Sequence, residues 1–456
     1  MARPGVWHGW RQLVAALLAV ANLVHGFDLD ISSTESLKNA ASTAIYGQMH
    51  LYQGNASGAI PGKLPGTWWE GGALFMAAIE YWHETGDTTY NNEVSVGMQW
   101  QAGDGDYMPS NWSSYLGNDD QMFWGLAAMT ATELQYPAYG TYSWLSLAQG
   151  VFNTQVARWD PTTCGGGLRW QIWAYEAGYN LKNAISNGGL FQLAARLAYY
   201  THNATYAEWA EKIFDWCAST PLLSTETWNV ADSVEVGNNC TTQGNNQWSY
   251  NYGTFISGAA YMYNYTNGTE KWEKAVNGLL GVTLKTFFPT QYGGNIMSEI
   301  LCEPTEICNA NEILFKGLTA AWLAFTSVLV PSTYDQILPK LQGSAEAAAA
   351  SCSGNNNNSC GVRWYTKAWD GWTGIEEQIS GTNIFVANLV AANRTRPVTA
   401  TTGGNSTSDP TAGQDDHSTS TQLAAITTGD KVGAGFLTAG FVTSWIGLLV
   451  WMVIGT

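Results

Sequence analysis

Gly71-Gly72-Ala73-Leu74-Phe75-Met76-Ala77-Ala78 is the stretch on which the fold turns. It is apolar all round, with no polar face, as suits a helix enclosed by other helices. Similar stretches recur at Gly125-Leu126-Ala127-Ala128-Met129, at Gly188-Gly189-Leu190-Phe191-Gln192-Leu193-Ala194-Ala195 and over Gly253 to Ala260. Between them the apolar residues repeat at spacings of three and four, the period of an amphipathic helix.

Outward from these stretches, the pattern predicts helices near 34–53, 69–84, 88–101, 119–135, 141–158, 182–201, 204–219, 248–264, 269–287, 309–330, 333–350 and 374–393. Start signals stand at Ser33-Thr34, Asn118-Asp119 and Thr333, and Pro109, Pro161, Pro221, Pro289 and Pro331 punctuate the joints. Strand-like pieces lie at Gly167 to Gln171 and Trp228 to Val236. Enclosed and amphipathic helices alternate, which points to six helical hairpins closed into an all-α (α/α)6 barrel. An irregular all-α domain or a superhelical solenoid is the alternative. No linker interrupts residues 27–396, and so long a region exceeds the usual single core; a toroid resolves the conflict.

Each enclosed helix is preceded by polar and aromatic residues: Pro65 to Glu70, Leu116 to Gln121, Asn180 to Asn187, Gln247 to Tyr252, Cys308 to Glu312 and Trp369 to Trp372. In a toroid the inner helices run in one direction, so these clusters would ring one mouth, the usual form of a small-ligand cleft. Asp119-Asp120 is the sharpest of them. Two carboxylates forced together split their proton affinities, giving one acid and one base, as glycoside hydrolysis requires. Neighbours on a regular helix diverge, so the pair must straddle the helix start to serve together. Helix capping is the competing explanation. Trp68, Trp69, Trp112 and Trp124 are candidates to stack on sugar rings, with core packing the alternative. Asn183, Asn187, Tyr250, Asn251 and Asp370 are candidates to bind hydroxyls. No metal motif or cofactor-binding motif is evident.

The 36 acidic against 19 basic residues give a formal charge of -17, which argues against nucleic acid as a partner. Residues 1–26 carry Arg3 and Arg11 and then a short apolar core, the pattern of a secretory signal peptide. Residues 397–431 are rich in Thr, Ser and Gly and are expected to form a disordered, O-glycosylated stalk. The apolar tail 432–456 behind a polar spacer reads as a GPI signal with attachment near Gly429, a single-pass anchor being the alternative. Asn55, Asn111, Asn203, Asn239, Asn264, Asn267, Asn357, Asn393 and Asn405 begin N-glycosylation sequons. In an oxidising compartment Cys302 should pair with Cys308 and Cys352 with Cys360. Cys217 with Cys240 is a plausible third bridge, which leaves Cys164 over.

The runs Trp68-Trp69-Glu70-Gly71-Gly72, Asn118-Asp119-Asp120-Gln121 with Trp124, Lys182-Asn183-Ala184-Ile185-Ser186-Asn187-Gly188 and Tyr250-Asn251-Tyr252-Gly253-Thr254 resemble glycoside hydrolase family 76, the endo-1,6-α-mannanases. They span most of the folded region. The signal peptide, stalk and tail are similar to those of the family's fungal cell-wall members. The resemblance implies an (α/α)6 fold and a retaining reaction, with Asp119 as nucleophile and Asp120 as general acid/base. It implies α-1,6-mannan or the mannose core of GPI glycans as substrate and β-glucan as an acceptor. It also implies a monomer on the outer face of the plasma membrane and in the wall, held by its GPI anchor and joining GPI proteins to wall glucan. Tyr252 departs from the glutamine expected in bacterial members. A non-catalytic mannan-binding wall protein on the same fold is the alternative, disfavoured because both aspartates are present.

Overall fold

A computed structural model describes residues 26–414 and 428–454; the signal-peptide reading of 1–26 lies outside the described residues except for Gly26. Twelve helices follow in order: α1 Thr34–Leu51, α2 Trp69–Thr85, α3 Asn91–Trp100, α4 Asn118–Glu133, α5 Trp144–Ala157, α6 Ala184–Thr201, α7 Ala204–Ala218, α8 Ser249–Tyr265, α9 Glu270–Phe287, α10 Ala310–Leu329, α11 Tyr334–Ser351 and α12 Ile375–Asn393. The even-numbered helices form the inner ring. Each packs on the next, and α12 closes on α2. The protein is an (α/α)6 barrel. Outer helices α3, α5, α7 and α9 each pack on the inner helix just before them, while α11 packs on both α10 and α12. The first helix, α1, packs chiefly on the last, so the two ends of the ring are locked together.

Burial explains which helix went where. In α2 every residue from Trp69 to Tyr81 is buried. In α9 only Trp272, Ala275, Val276, Leu279, Leu280, Thr283 and Phe287 are, a single stripe of an amphipathic outer helix. Gly72 lets α2 and α4 touch: a methyl there would stand 2.9 Å from the Trp124 backbone nitrogen.

Two short strands, β1 Leu181–Asn183 and β2 Ser233–Glu235, pair antiparallel, with Lys182 opposite Val234. The helix expected from residue 182 therefore starts at Ala184. β2 falls inside the strand-like piece 228–236, whereas 167–171 contributes only a bridge from Gln171 to Gly117.

The stalk expected from Pro397 is ordered as far as Gly413. Val398 N–H donates to Glu133 O (3.1 Å) and Ala400 N–H to Tyr200 O (2.9 Å). Asp409 N–H donates to Gln149 Oε1 (2.7 Å), and Asn153 Nδ2 to Pro410 O (3.0 Å) and Ala412 O (2.8 Å). The strap has little apolar surface to bury, and amide side chains of α5 satisfy its backbone instead. The compact unit accordingly ends at Gly413.

Cys302–Cys308 and Cys352–Cys360 are bridged as expected, but the third bridge is Cys164–Cys240. Cys217 is buried and free. It faces the core from α7, while Cys164 and Cys240 meet across two loops 76 residues apart in sequence. Eight of the nine sequon asparagines are exposed. Asn264 is the exception, its amide donating to Ala260 O and Leu329 O.

The C-terminal helix α13, Thr428–Ile454, has Gly429 in its first turn. Its stretch Lys431–Val450 has a mean hydropathy of 1.6, long and apolar enough to cross a membrane.

Candidate active site

A cleft of about 360 Å³ opens among the inner-helix starts. Thr67 and Trp69 reach it from the approach to α2 and its first residue, Asp119, Asp120 and Phe123 from α4, Asn183 from β1, Asp232 and Ser233 from the entry to β2, and Trp248 and Tyr250 from the entry to α8. Asn309, Asn311, Glu312 and Phe315 come from α10, and Trp170 and Gln171 from the loop before β1. Five of the six clusters predicted to ring the mouth do so. A second hollow of about 440 Å³, around the Cys164–Cys240 bridge, is lined by no carboxylate or histidine.

Asp119 and Asp120 occupy the second and third positions of α4, so the pair straddles the helix start and both line the cleft. The flanking residues of the motif hold that start in place. Asn118 N–H donates to Trp170 O (2.8 Å), its side-chain amide to Arg169 O (2.9 Å), and its Oδ1 accepts from Arg158 Nε (2.8 Å). Arg158 also bonds Gln121 Oε1. Asp120 Oδ2 accepts the Gly117 N–H (2.7 Å), and Asp119 Oδ1 the Asp120 N–H (3.1 Å). Gly117 sits between the carboxyls: a methyl there would collide with Asp119 Oδ1 and lie 3.2 Å from Asp120 Oδ2.

Burial raises both carboxyls above the ordinary range. Asp119 is raised further by the charge of Asp120, against hydrogen bonds from the Asp120 N–H and Asn183. The Gly117 N–H restrains Asp120 to about 6. The two titrate as a pair, the first proton leaving near 6 and the second well above it. Over that interval the site holds one proton and one negative charge.

Tyr250 lies flat on Phe315, ring centres 3.6 Å apart. Burial, and then the charges of Asp232 and Asp119, push its hydroxyl well up, so it remains a donor. Trp69 donates its indole N–H to Asn311 Oδ1 (2.8 Å) and packs on Phe123. Asn183 turns one face to the cleft and caps α6 through Ser186 N–H (3.3 Å).

Other candidates stand elsewhere. Trp124 is fully buried, stacked with Trp68, whose indole N–H donates to Gln101 Oε1 (2.8 Å). Trp112 is buried edge-on to Trp100. These three are core. Asn187 ties α6 to Leu168 through both backbone groups of that residue. Asn251 lies one layer back, donating to Asp232 Oδ1 (3.1 Å). Asp370 braces a loop by accepting from the Arg363 and Trp372 N–H groups. It misses the cleft because its carboxylate closes its own turn.

Asp232 was not among the sequence candidates. Burial raises its carboxyl, with Asn251 opposing. Its neighbourhood carried a signal only as a strand-like piece; the pairing of β2 with β1 is what sets it beside Asn183. Glu299, behind the cleft, accepts from Ser249 N–H (3.3 Å) at the start of α8.

The sequence model of glycosyl hydrolase family 76 matches residues 36–401. Mannan endo-1,6-alpha-mannosidase DCW1 of Saccharomyces cerevisiae is 41% identical over 444 residues, covering 96% of this chain and 97% of that protein. The crystal structure of Dfg5 from Chaetomium thermophilum in complex with glucosamine superposes with a TM-score of 0.81 at 42% identity, covering 86% of this chain and 98% of that one. An alpha-1,6-mannanase from a Salegentibacter species superposes at 0.63 with 17% identity, over 78% of this chain and 99% of that one, a likeness of fold alone.

Proposed function

The chain belongs to glycosyl hydrolase family 76 and is a glycoside hydrolase, and from that premise we propose that it cleaves α-1,6-mannosidic linkages by retaining double displacement. The observation that carries this is the pair Asp119–Asp120, sharing one proton at the mouth of an aromatic-lined cleft. In the first step the Asp119 carboxylate bonds to the anomeric carbon. The glycosidic C–O bond breaks, and Asp120 gives its proton to the departing oxygen. In the second step Asp120 takes a proton from water or from a sugar hydroxyl. That oxygen attacks the anomeric carbon and frees Asp119. The relatives' names support α-1,6-mannan as the substrate class.

The mannose core of GPI glycans is the second donor in this reading, and β-glucan the acceptor when a sugar replaces water. Such transfer would place the protein in cell-wall assembly. Three disulfides suit an oxidising compartment, and the apolar α13 suits membrane targeting by a GPI signal. We place the protein on that basis in the secretory pathway and at the outer cell surface.

The test is to incubate residues 27–413 with α-1,6-mannotetraose and with a GPI-core glycan, with and without a β-glucan oligosaccharide. Shorter mannosides, or chimeric products when acceptor is present, are expected, and Asp119→Asn and Asp120→Asn should each abolish them. Binding without products in the unaltered protein would instead assign a mannan-binding wall protein.

A further inference from the structure

Outside the cleft, on the side of Asp120, two loops meet. One is the segment 109–117 that leads into α4 and ends at Gly117, whose N–H Asp120 accepts at 2.7 Å. The other is 170–180, which begins in the cleft at Trp170 and Gln171. They are stitched by aromatic side chains: Trp173 Nε1 donates to Ser113 O, and Tyr175 Oη donates to Ser114 O. The rings of Trp173 and Tyr175 lie in planes only 4° apart, with centres 6.2 Å apart. Tyr175 is 54% exposed, and Tyr115, on the facing loop, is 50% exposed.

An ordinary surface tyrosine hides its ring and offers its hydroxyl to water. Here the polar edges of Trp173 and Tyr175 are occupied by backbone carbonyls, so Tyr175 is held in place while more than half of it stays exposed. Flat and fixed, such a ring matches the apolar C–H side of a pyranose. The placement also has a direction. Tyr115 stands two residues before Gly117, whose N–H donates to Asp120 Oδ2 at 2.7 Å, and the proton donor stands on the leaving-group side of a glycosidic bond.

We propose that Tyr115 and Tyr175, with Trp173 beside them, form an aromatic ledge that seats the sugar on the leaving-group side of the cleft. In cleavage it holds the departing mannose unit. In transfer it holds the acceptor before its hydroxyl reaches the anomeric carbon, so it sets the share of glycosyl-enzyme passed to sugar rather than to water. The direction of the ledge rests on the glycosidase reading above; its affinity for sugar does not.

The test separates the two. Binding of α-1,6-mannotetraose is measured by calorimetry on residues 27–413 carrying Asp119→Asn, with and without Tyr115→Ala plus Tyr175→Ala. Loss of two stacking faces is expected to weaken Kd by about tenfold or more. Tyr175→Phe, which keeps the face and loses only the bond to Ser114, should stay close to the parent. In the protein with both aspartates intact, the double alanine variant should lower the ratio of transfer to hydrolysis with a mannobiose acceptor. An unchanged Kd in the double variant overturns the ledge whatever the activity. An unchanged transfer ratio alongside a weakened Kd overturns its acceptor role. Absence of turnover in the intact protein, with Kd still weakened by the variants, counts against the glycosidase reading and not against the ledge.

Discussion

Asp120 accepts the Gly117 N–H while lining the cleft, so the residue that closes the helix start is also the one placed to move a proton. Capping and catalysis, rivals from the sequence, are compatible here, because one carboxylate is placed for both. The pair's first proton leaves near 6 and its second well above. kcat/KM is therefore expected to rise as pH climbs through about 6 and to fall again at higher pH, the two limbs reporting the pair. Asn183→Ala removes a donor that lowers Asp119, so it should move the profile to higher pH; an unmoved profile would detach Asn183 from the chemistry. The indoles divide just as sharply. Trp124→Ala should cost roughly 3–5 kcal/mol of stability as a core truncation, read by denaturant unfolding. Trp69→Ala should chiefly raise KM. Sequence placed Trp68, Trp69 and Trp124 together but could not separate them, because an inner helix turns some side chains to the mouth and others to its neighbours. That choice is made by helix rotation, which tertiary packing fixes.

At the scale of elements, all twelve helices of the barrel were legible, because enclosed and striped apolar patterns alternate without a break. β1 and β2 were less so. Three residues carry almost no periodic signal, and Lys182 and Asn183 were absorbed into the helix that follows. The strap 397–413 was misread for a physical reason: its composition correctly says that it buries little apolar surface, but Gln149 and Asn153 hold its backbone by hydrogen bonds. Ending the chain at Pro397 instead of Gly413 should lower Tm measurably, since it strips the Gln149 carbonyl oxygen and the Asn153 amide of their partners; an unchanged Tm would show the strap to be passive. Cys164→Ser with Cys240→Ser opens a loop of 76 residues and should cost about 4 kcal/mol on the chain-entropy account. The sequence pointed to Cys217 instead because spacing says nothing of which side chain faces the core.

Over the whole molecule, closure of the ring gathers polar helix starts at one mouth and leaves several carboxyls enclosed. Burial raises Glu70 and Glu377 to about 7, and Glu80 and Glu299 to about 8. Unfolded, each would titrate near 4.5. Between those values the folded chain holds more protons than the unfolded chain, so stability falls as pH rises. The formal charge of -17 pushes the same way by self-repulsion. Tm by calorimetry should be higher at pH 5 than at pH 8, and Glu80→Gln should flatten the difference; a higher Tm at pH 8 would mean these carboxyls are charged in the fold.

The catalytic claim has its most direct test in the configuration of the first product. Proton NMR is recorded in the first minutes of α-1,6-mannotetraose cleavage by residues 27–413, before the released sugar equilibrates. A glycosyl-enzyme on Asp119 requires the α-anomer to appear first and the β-anomer to grow in later. The β-anomer appearing first would mean water attacks the sugar directly, and would contradict the assignment of Asp119 as nucleophile.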